Sequence, residues 1–169
     1  MTIDVTAGSS TAVAYGSASG ADDYFTARGI TTWTGTDAAK EAALIRGCDY
    51  LERMYRGRWI GLKATQAQAL SWPRGWVSDV EGYPIDAETV PEQVKQANYE
   101  AALLILTGTD LEPVLERGGA PVRERVKAGP VESETEYSAG APARSKITAI
   151  EGLLIGLIDN TNTVSLLRV

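Results

Sequence analysis

Between Thr36 and Tyr55 the chain carries the pattern that most limits what it can become. Residues 39–55 contain no proline and a single glycine, Gly47. Leu44, Cys48, Leu51 and Tyr55 recur at four- and three-residue steps, the spacing of one buried stripe along an α-helix. Thr36 stands where an N-cap accepts backbone donors, and Asp37 where the positive end of the helix dipole favours a carboxylate. Arg53 and Arg56 fall near the other end, where cations are favoured. A helix of this length with one apolar face must be packed, so the neighbouring segments have to supply its partners.

They do so with helical patterns of their own. Ser17 or Ser19 can cap a short helix with Asp22 and Asp23 in its first turn and Gly29 as its stop. Pro91 suits an N1 position, with Val90 placed to staple against Val94. Val94, Ala97, Ala101, Leu104 and Ile105 then form a core face, and Gly108 ends that helix. A last helix is predicted over 147–158, burying Ile150, Leu153, Leu154 and Leu157. Residues 65–70 can form one or two turns before Trp72-Pro73, and the Pro, Gly and Asp punctuation of 73–90 predicts a long surface loop. The Thr, Ser, Gly and Ala of the first sixteen residues predict an extended lead-in.

Over 122–137 the period changes from helical to two. Arg123, Arg125 and Lys127 alternate, as do Glu132, Glu134 and Glu136. A turn centred on Gly129-Pro130 would set Lys127 opposite Glu132, Arg125 opposite Glu134 and Arg123 opposite Glu136, with Val122 and Val126 facing Tyr137 and Ser133. Each exposed ion pair contributes at most about 1 kcal/mol, so this ladder sets register more than stability. The fold class is therefore mainly α: a small helical bundle of four to five helices with one charged β-hairpin and an extended C-terminal tail. The organisation expected is a lead-in at 1–16, a helical domain at 17–158 containing the hairpin, and a tail at 159–169. That tail ends Thr163, Val164, Ser165, Leu166, Leu167, Arg168, Val169, an apolar, β-prone run behind a polar linker. It could pack on its own domain or add a strand to a partner's sheet edge.

Composition removes most catalytic readings. The 169 residues contain no His and one Cys, which excludes Ser-His-Asp and Cys-His hydrolysis, His-ligated metals and thiolate clusters. No catalytic constellation, metal motif or phosphate-binding loop has diagnostic spacing, so neither an enzyme nor a cofactor is expected. Cys48 lies on the apolar stripe and reads as core. Met1-Thr2-Ile3-Asp4-Val5 lacks the features of a leader, and no apolar run approaches the roughly 20 residues of a membrane span. A soluble, intracellular protein with no membrane partner is the expectation.

The net charge of −6 argues against a generally basic nucleic-acid binder, yet its distribution is uneven. Residues 51–75 sum to +4 and residues 76–120 to −7. The basic piece holds Arg53, Arg56, Arg58, Lys63 and Arg74, interleaved with Tyr55, Trp59 and Trp72. Cations beside aromatic platforms bind single-stranded nucleic acid, each stacked base contributing about 1–3 kcal/mol. The same residues also fit core rings with arginines that pair acidic surface on a neighbouring subunit, as in a ring whose basic edge meets the next subunit's acidic edge.

Several runs carry a family resemblance. They include Ala21-Asp22-Asp23-Tyr24-Phe25-Thr26-Ala27-Arg28-Gly29, then Trp33 with the segment from Thr36 to Arg46, and Asp49-Tyr50-Leu51. Tyr55-Arg56-Gly57-Arg58-Trp59, Gln68-Ala69-Leu70-Ser71-Trp72-Pro73-Arg74, Val90-Pro91, Val94-Lys95 and Arg117-Gly118-Gly119 continue it. Over roughly residues 15–140 the chain resembles the phage and prophage proteins labelled DnaT-like single-stranded DNA-binding proteins, a family similar to the head–tail connector adaptors of long-tailed phages. The resemblance implies a helical virion protein, made in the host cytoplasm and placed in the neck. There it would form a twelve-fold ring beneath the portal, contact the next neck protein and let genomic DNA pass without sequence-specific binding. It also implies that a C-terminal tail docks on the portal, here residues 163–169. Arg53, Arg56, Arg58, Lys63 and Arg74 would then be inter-subunit or DNA-facing charges. The label itself implies the alternative, a single-stranded DNA-binding accessory protein of phage replication.

Overall fold

A computed structural model describes residues 3–112, 121–127, 132–137 and 147–159. Helix α1 (Ala18–Ala27) starts where the Ser17 side chain accepts from the Gly20 amide at 3.1 Å. Asp22 and Asp23 lie beyond its first turn rather than in it. The carboxylate of Asp22 instead accepts from Trp33 Nε1 and Lys40 Nζ, each at 2.7 Å. After Arg28 the chain turns through Gly29 at φ +64°, which glycine adopts without steric cost.

Helix α2 (Asp37–Tyr55) begins as the sequence predicts, with Thr36 Oγ1 accepting from the Ala39 amide at 3.3 Å. Leu44, Cys48, Leu51 and Tyr55 are all buried. Helix α3 (Glu92–Leu106) is its main partner, with α4 (Thr148–Leu153) against α3 and α1 touching both longer helices. Pro91 stands one position earlier than expected, at the N-cap rather than N1. The buried face of α3 is Val94, Ala97, Asn98, Tyr99, Ala101 and Ala102, while Leu104 and Ile105 are only half-buried. Small side chains displace the large ones because α2 and α3 approach closely at Gly47. A Cβ there would stand 3.0 Å from the Ala102 backbone nitrogen and 3.2 Å from Ala101 Cβ.

The two ends of the sequence reading change most. Residues 3–16 contain no helix or strand, yet Ala12, Ala14 and Tyr15 are core. Asn98 secures this segment: its Oδ1 accepts from the Tyr15 amide at 3.1 Å, and its Nδ2 donates to the Leu44 carbonyl at 2.9 Å. The predicted last helix stops at Leu153, since Gly152 and Gly156 interrupt it and Gly156 takes φ +83°. The chain then pairs with residues 58–60, through the Trp59–Ile158 bridge and the Ile60 amide on the Leu157 carbonyl at 3.2 Å. Ile150, Leu154 and Leu157 are buried as expected, and Leu153 is half-buried.

Residues 65–70 form no helical turn. Gln68, 3% exposed, organises them instead, because its amide offers what a helix would have taken from the backbone. Its Oε1 accepts from the Thr65 amide at 2.9 Å, and its Nε2 donates to the carbonyls of Leu70 and Pro73. The Trp72–Pro73 bond is cis. Strand β1 (Leu62–Lys63) pairs antiparallel with β2 (Arg74–Gly75), a pairing absent from the sequence reading.

A second unit, Leu111–Lys146, contains the hairpin of β3 (Pro121–Lys127) and β4 (Glu132–Tyr137). Its register places Lys127 with Glu132, Arg125 with Glu134 and Arg123 with Glu136, the three partners read from the alternation. Val126 lies opposite Ser133 as expected, but Tyr137 is opposite Pro121 rather than Val122. The shift falls between Pro121 and Arg123, where a proline without an N–H cannot extend a regular ladder. The expected turn at Gly129-Pro130 and the tail from residue 160 lie outside the described residues.

Candidate functional site

The basic segment 53–74 resolves into a frame and a surface. Its rings are frame: Tyr55 is 1%, Trp59 6% and Trp72 1% exposed, with Trp59 edge-on to Trp72 at 5.9 Å. Trp72 and Tyr55 are core, and neither presents a face to a base.

Arg74 belongs to the same frame, which corrects its assignment as an inter-subunit or DNA-facing charge. It is 8% exposed, and its guanidinium donates to four backbone carbonyls: Ile60 and Gly61 at 2.6 Å, Ser71 at 3.2 Å and Trp59 at 3.3 Å. A planar fork with five donors suits such a set. It ties the strand pair to the chain that leaves α2 by bonding the carbonyls of residues 59–61 and of Ser71 at once. Arg58 reaches Glu151 at 3.4 Å and the Asp159 carbonyl at 3.3 Å, so it clamps the segment after α4. Lys63 donates to the Gln68 carbonyl at 2.9 Å.

Arg53 and Arg56 remain on the surface at the end of α2. Beneath them lies a carboxylate that sequence reasoning missed. Glu52 is 8% exposed and accepts from the Tyr15 hydroxyl, from the Ser71 amide at 3.0 Å and from Ser71 Oγ at 2.7 Å. Arg56 Nη2 stands 3.4 Å from its outer oxygen. Burial, and then the charge of Glu52, push the Tyr15 phenol well above its ordinary pKa. The phenol therefore stays a donor, and the node ties the N-terminal segment, α2 and the 71–72 turn together. The available signal was position: Glu52 follows Cys48 by four residues on the stripe. Cys48 is buried, and burial raises its thiol pKa, so it is no nucleophile. Asp49, Glu52, Arg53 and Arg56 line an open cleft of about 280 Å³.

The exposed rings stand elsewhere. Trp76 is 92% and Tyr83 70% exposed, with Val80 at 66%, on the loop that follows β2. Leu62 and Ile155 are also exposed large apolar residues. Nothing in the sequence separated Trp76 from the three buried tryptophans. The loop is braced: the Ile85 amide donates to Val77 and the Asp79 amide to Tyr83, both at 2.9 Å. Asp79 Oδ1 accepts from the amides of Glu81 and Tyr83 at 3.0 and 2.8 Å. Asp79, Glu81, Asp86 and Glu88 make the loop acidic, and it contains no basic residue between Trp76 and Val90.

Among the described residues no group of three or more His, Cys, Asp and Glu could hold a metal ion. No helix among them is long and apolar enough to cross a membrane. The family model described as "Putative DnaT-like ssDNA binding protein" matches residues 1–169. No curated protein and no solved structure matches the chain.

Proposed function

The chain belongs to the DnaT-like ssDNA binding protein family, and within that family we propose that it is a structural protein of the phage neck, a head–tail connector adaptor that works by assembly. The observation that carries this reading is where the aromatic residues lie. The rings beside the basic segment are core, and the exposed Trp76 and Tyr83 stand on an acidic loop. Clustered carboxylates repel phosphates, whereas apolar anchors rimmed by charge fit a protein partner. On this reading the chain forms a ring with copies of itself beneath the portal, contacts the next neck protein and performs no chemistry. An acidic wall offers DNA few phosphate contacts, so the genome slides past it. Residues 163–169 are the segment proposed to dock on the portal.

The family description favours a second reading, a single-stranded DNA-binding accessory protein of phage replication. The surface cations Arg53 and Arg56 are what the α2 end offers it.

One experiment separates the two. The full chain is mixed with the portal protein encoded in the same genome and imaged by negative-stain electron microscopy. In parallel it is titrated with fluorescein-labelled oligo-dT at about 50 and 200 mM salt. The adaptor reading expects a ring on the portal, lost on deletion of residues 163–169, and no DNA binding. DNA binding that weakens steeply with salt, with no portal complex, overturns it in favour of replication.

A further inference from the structure

Trp76 combines two costs that a folded chain has no internal reason to keep. Its backbone sits at φ +61°, a conformation that L side chains rarely adopt, and its ring is 92% exposed. Glycine at this position would remove both. The flanking residues are held firmly, with Gly75 paired to Leu62 and Val77 buried, so the indole is carried outward on a braced support. Strain and exposure at one residue point to a contact outside the subunit.

A receptor of matching chemistry lies on the same chain. The cleft at the end of α2, about 280 Å³, is lined by Arg53, Arg56, Asp49 and Glu52. A guanidinium can lie over an indole face, and a carboxylate can accept from the indole N–H. Glu52 is buried while Arg53, Arg56 and Asp49 are exposed, so the open face of the cleft is net positive and opposite in sign to Glu81, Asp86 and Glu88 of the loop. Trp76 does not occupy the cleft of its own subunit, because it is almost wholly exposed.

We propose that Trp76 of one copy seats in the α2 cleft of the next copy, with the acidic loop against Arg53 and Arg56. Ring and receptor are different patches, so the contact is heterologous and repeats from copy to copy until rotation closes it. The inference rests on the assembly reading above and names its subunit contact. A Trp at the centre of a charged rim is the usual anchor of an interface.

The test is sedimentation velocity of the full chain over a concentration series, for wild type, Trp76→Gly and Arg53→Ala/Arg56→Ala. Glycine accepts the positive φ and Arg53 and Arg56 are both surface-exposed, so both variants should keep a folded circular dichroism spectrum, with Trp76→Gly melting at or above the wild-type monomer and the double variant close to it. Wild type is expected to self-associate, and each variant to do so at least about tenfold more weakly. Mixed one to one, the two variants should form a dimer and stop there, since one contributes an intact cleft and the other an intact Trp76. Variants that assemble like wild type, or a mixture that stays monomeric, overturn the proposal while leaving an assembling protein. A wild type that stays monomeric, with its fluorescence quenched by oligo-dT, overturns both the contact and the adaptor reading.

Discussion

Replacing Asn98 by alanine tests how the N-terminal segment is attached to the helices. Asn98 is a fully buried residue of α3, and its two amide atoms serve different elements, α2 and the N-terminal segment. The Nδ2 bond to the Leu44 carbonyl is the cheaper loss, because a mid-helix carbonyl also has an intrahelical donor. The Oδ1 bond to the Tyr15 amide is the expensive one, since it leaves that N–H buried with no acceptor. A stranded buried donor costs about 1–3 kcal/mol, and the lost bond with a small void brings the total to roughly 2–4 kcal/mol. At about 2–4 °C per kcal/mol for a chain of this size, the melting temperature should fall by roughly 4–16 °C. Calorimetry reads that shift, and amide hydrogen exchange reads its origin. In Asn98→Ala the Tyr15 amide should exchange faster than the α2 amides, because residues 12–15 open locally before the helices do. A shift below about 2 °C, or exchange that rises uniformly over the domain, would refute the anchoring argument.

Arg74→Lys should cost about 2–3 kcal/mol, because one ammonium cannot serve four carbonyls, whereas Arg56→Ala should stay within about 0.5 kcal/mol in urea unfolding. Asp22 has a pKa lowered by Lys40 and Trp33, so it contributes stability above the unfolded carboxylate value near pH 4 and loses it as pH falls through the lower folded value. Asp22→Asn should therefore narrow the gap to wild type in acid, read as melting temperature from about pH 6 down to about pH 2. In the hairpin, reversing Arg125 or Glu134 alone should destabilise the strand pair, and reversing both should restore it. A double reversal no better than the singles, by hydrogen exchange over residues 121–137, would mean that the cross-strand charges do not couple.

Much of the local structure was legible because it depends on contacts a few residues apart. The Thr36 cap, the 44–48–51–55 stripe, a helix beginning within one residue of Pro91 and the three charged partners of the hairpin each follow from spacing. Errors arose where a distant group replaced a local one. Gln68 supplied the donors and acceptors of a turn that read as helical, and Asp22, beyond the first turn of a helix capped by Ser17, accepts from Trp33 and Lys40 instead. Gly47 brought α3 so close that alanines, not Leu104 and Ile105, fill the crossing.

The sequence alone determined the helical class, the absence of histidine chemistry and the alternation of basic and acidic segments, since composition and period are properties of the chain. It could not determine which tryptophans face water. Trp59, Trp72 and Trp76 lie within eighteen residues in similar company, and a residue's exposure depends on what the rest of the chain brings against it. Only the tertiary structure buried the first two, drew Arg74 inward onto four carbonyls and held Trp76 out at a left-handed turn. Those three placements moved the candidate surface from the basic segment to the acidic loop.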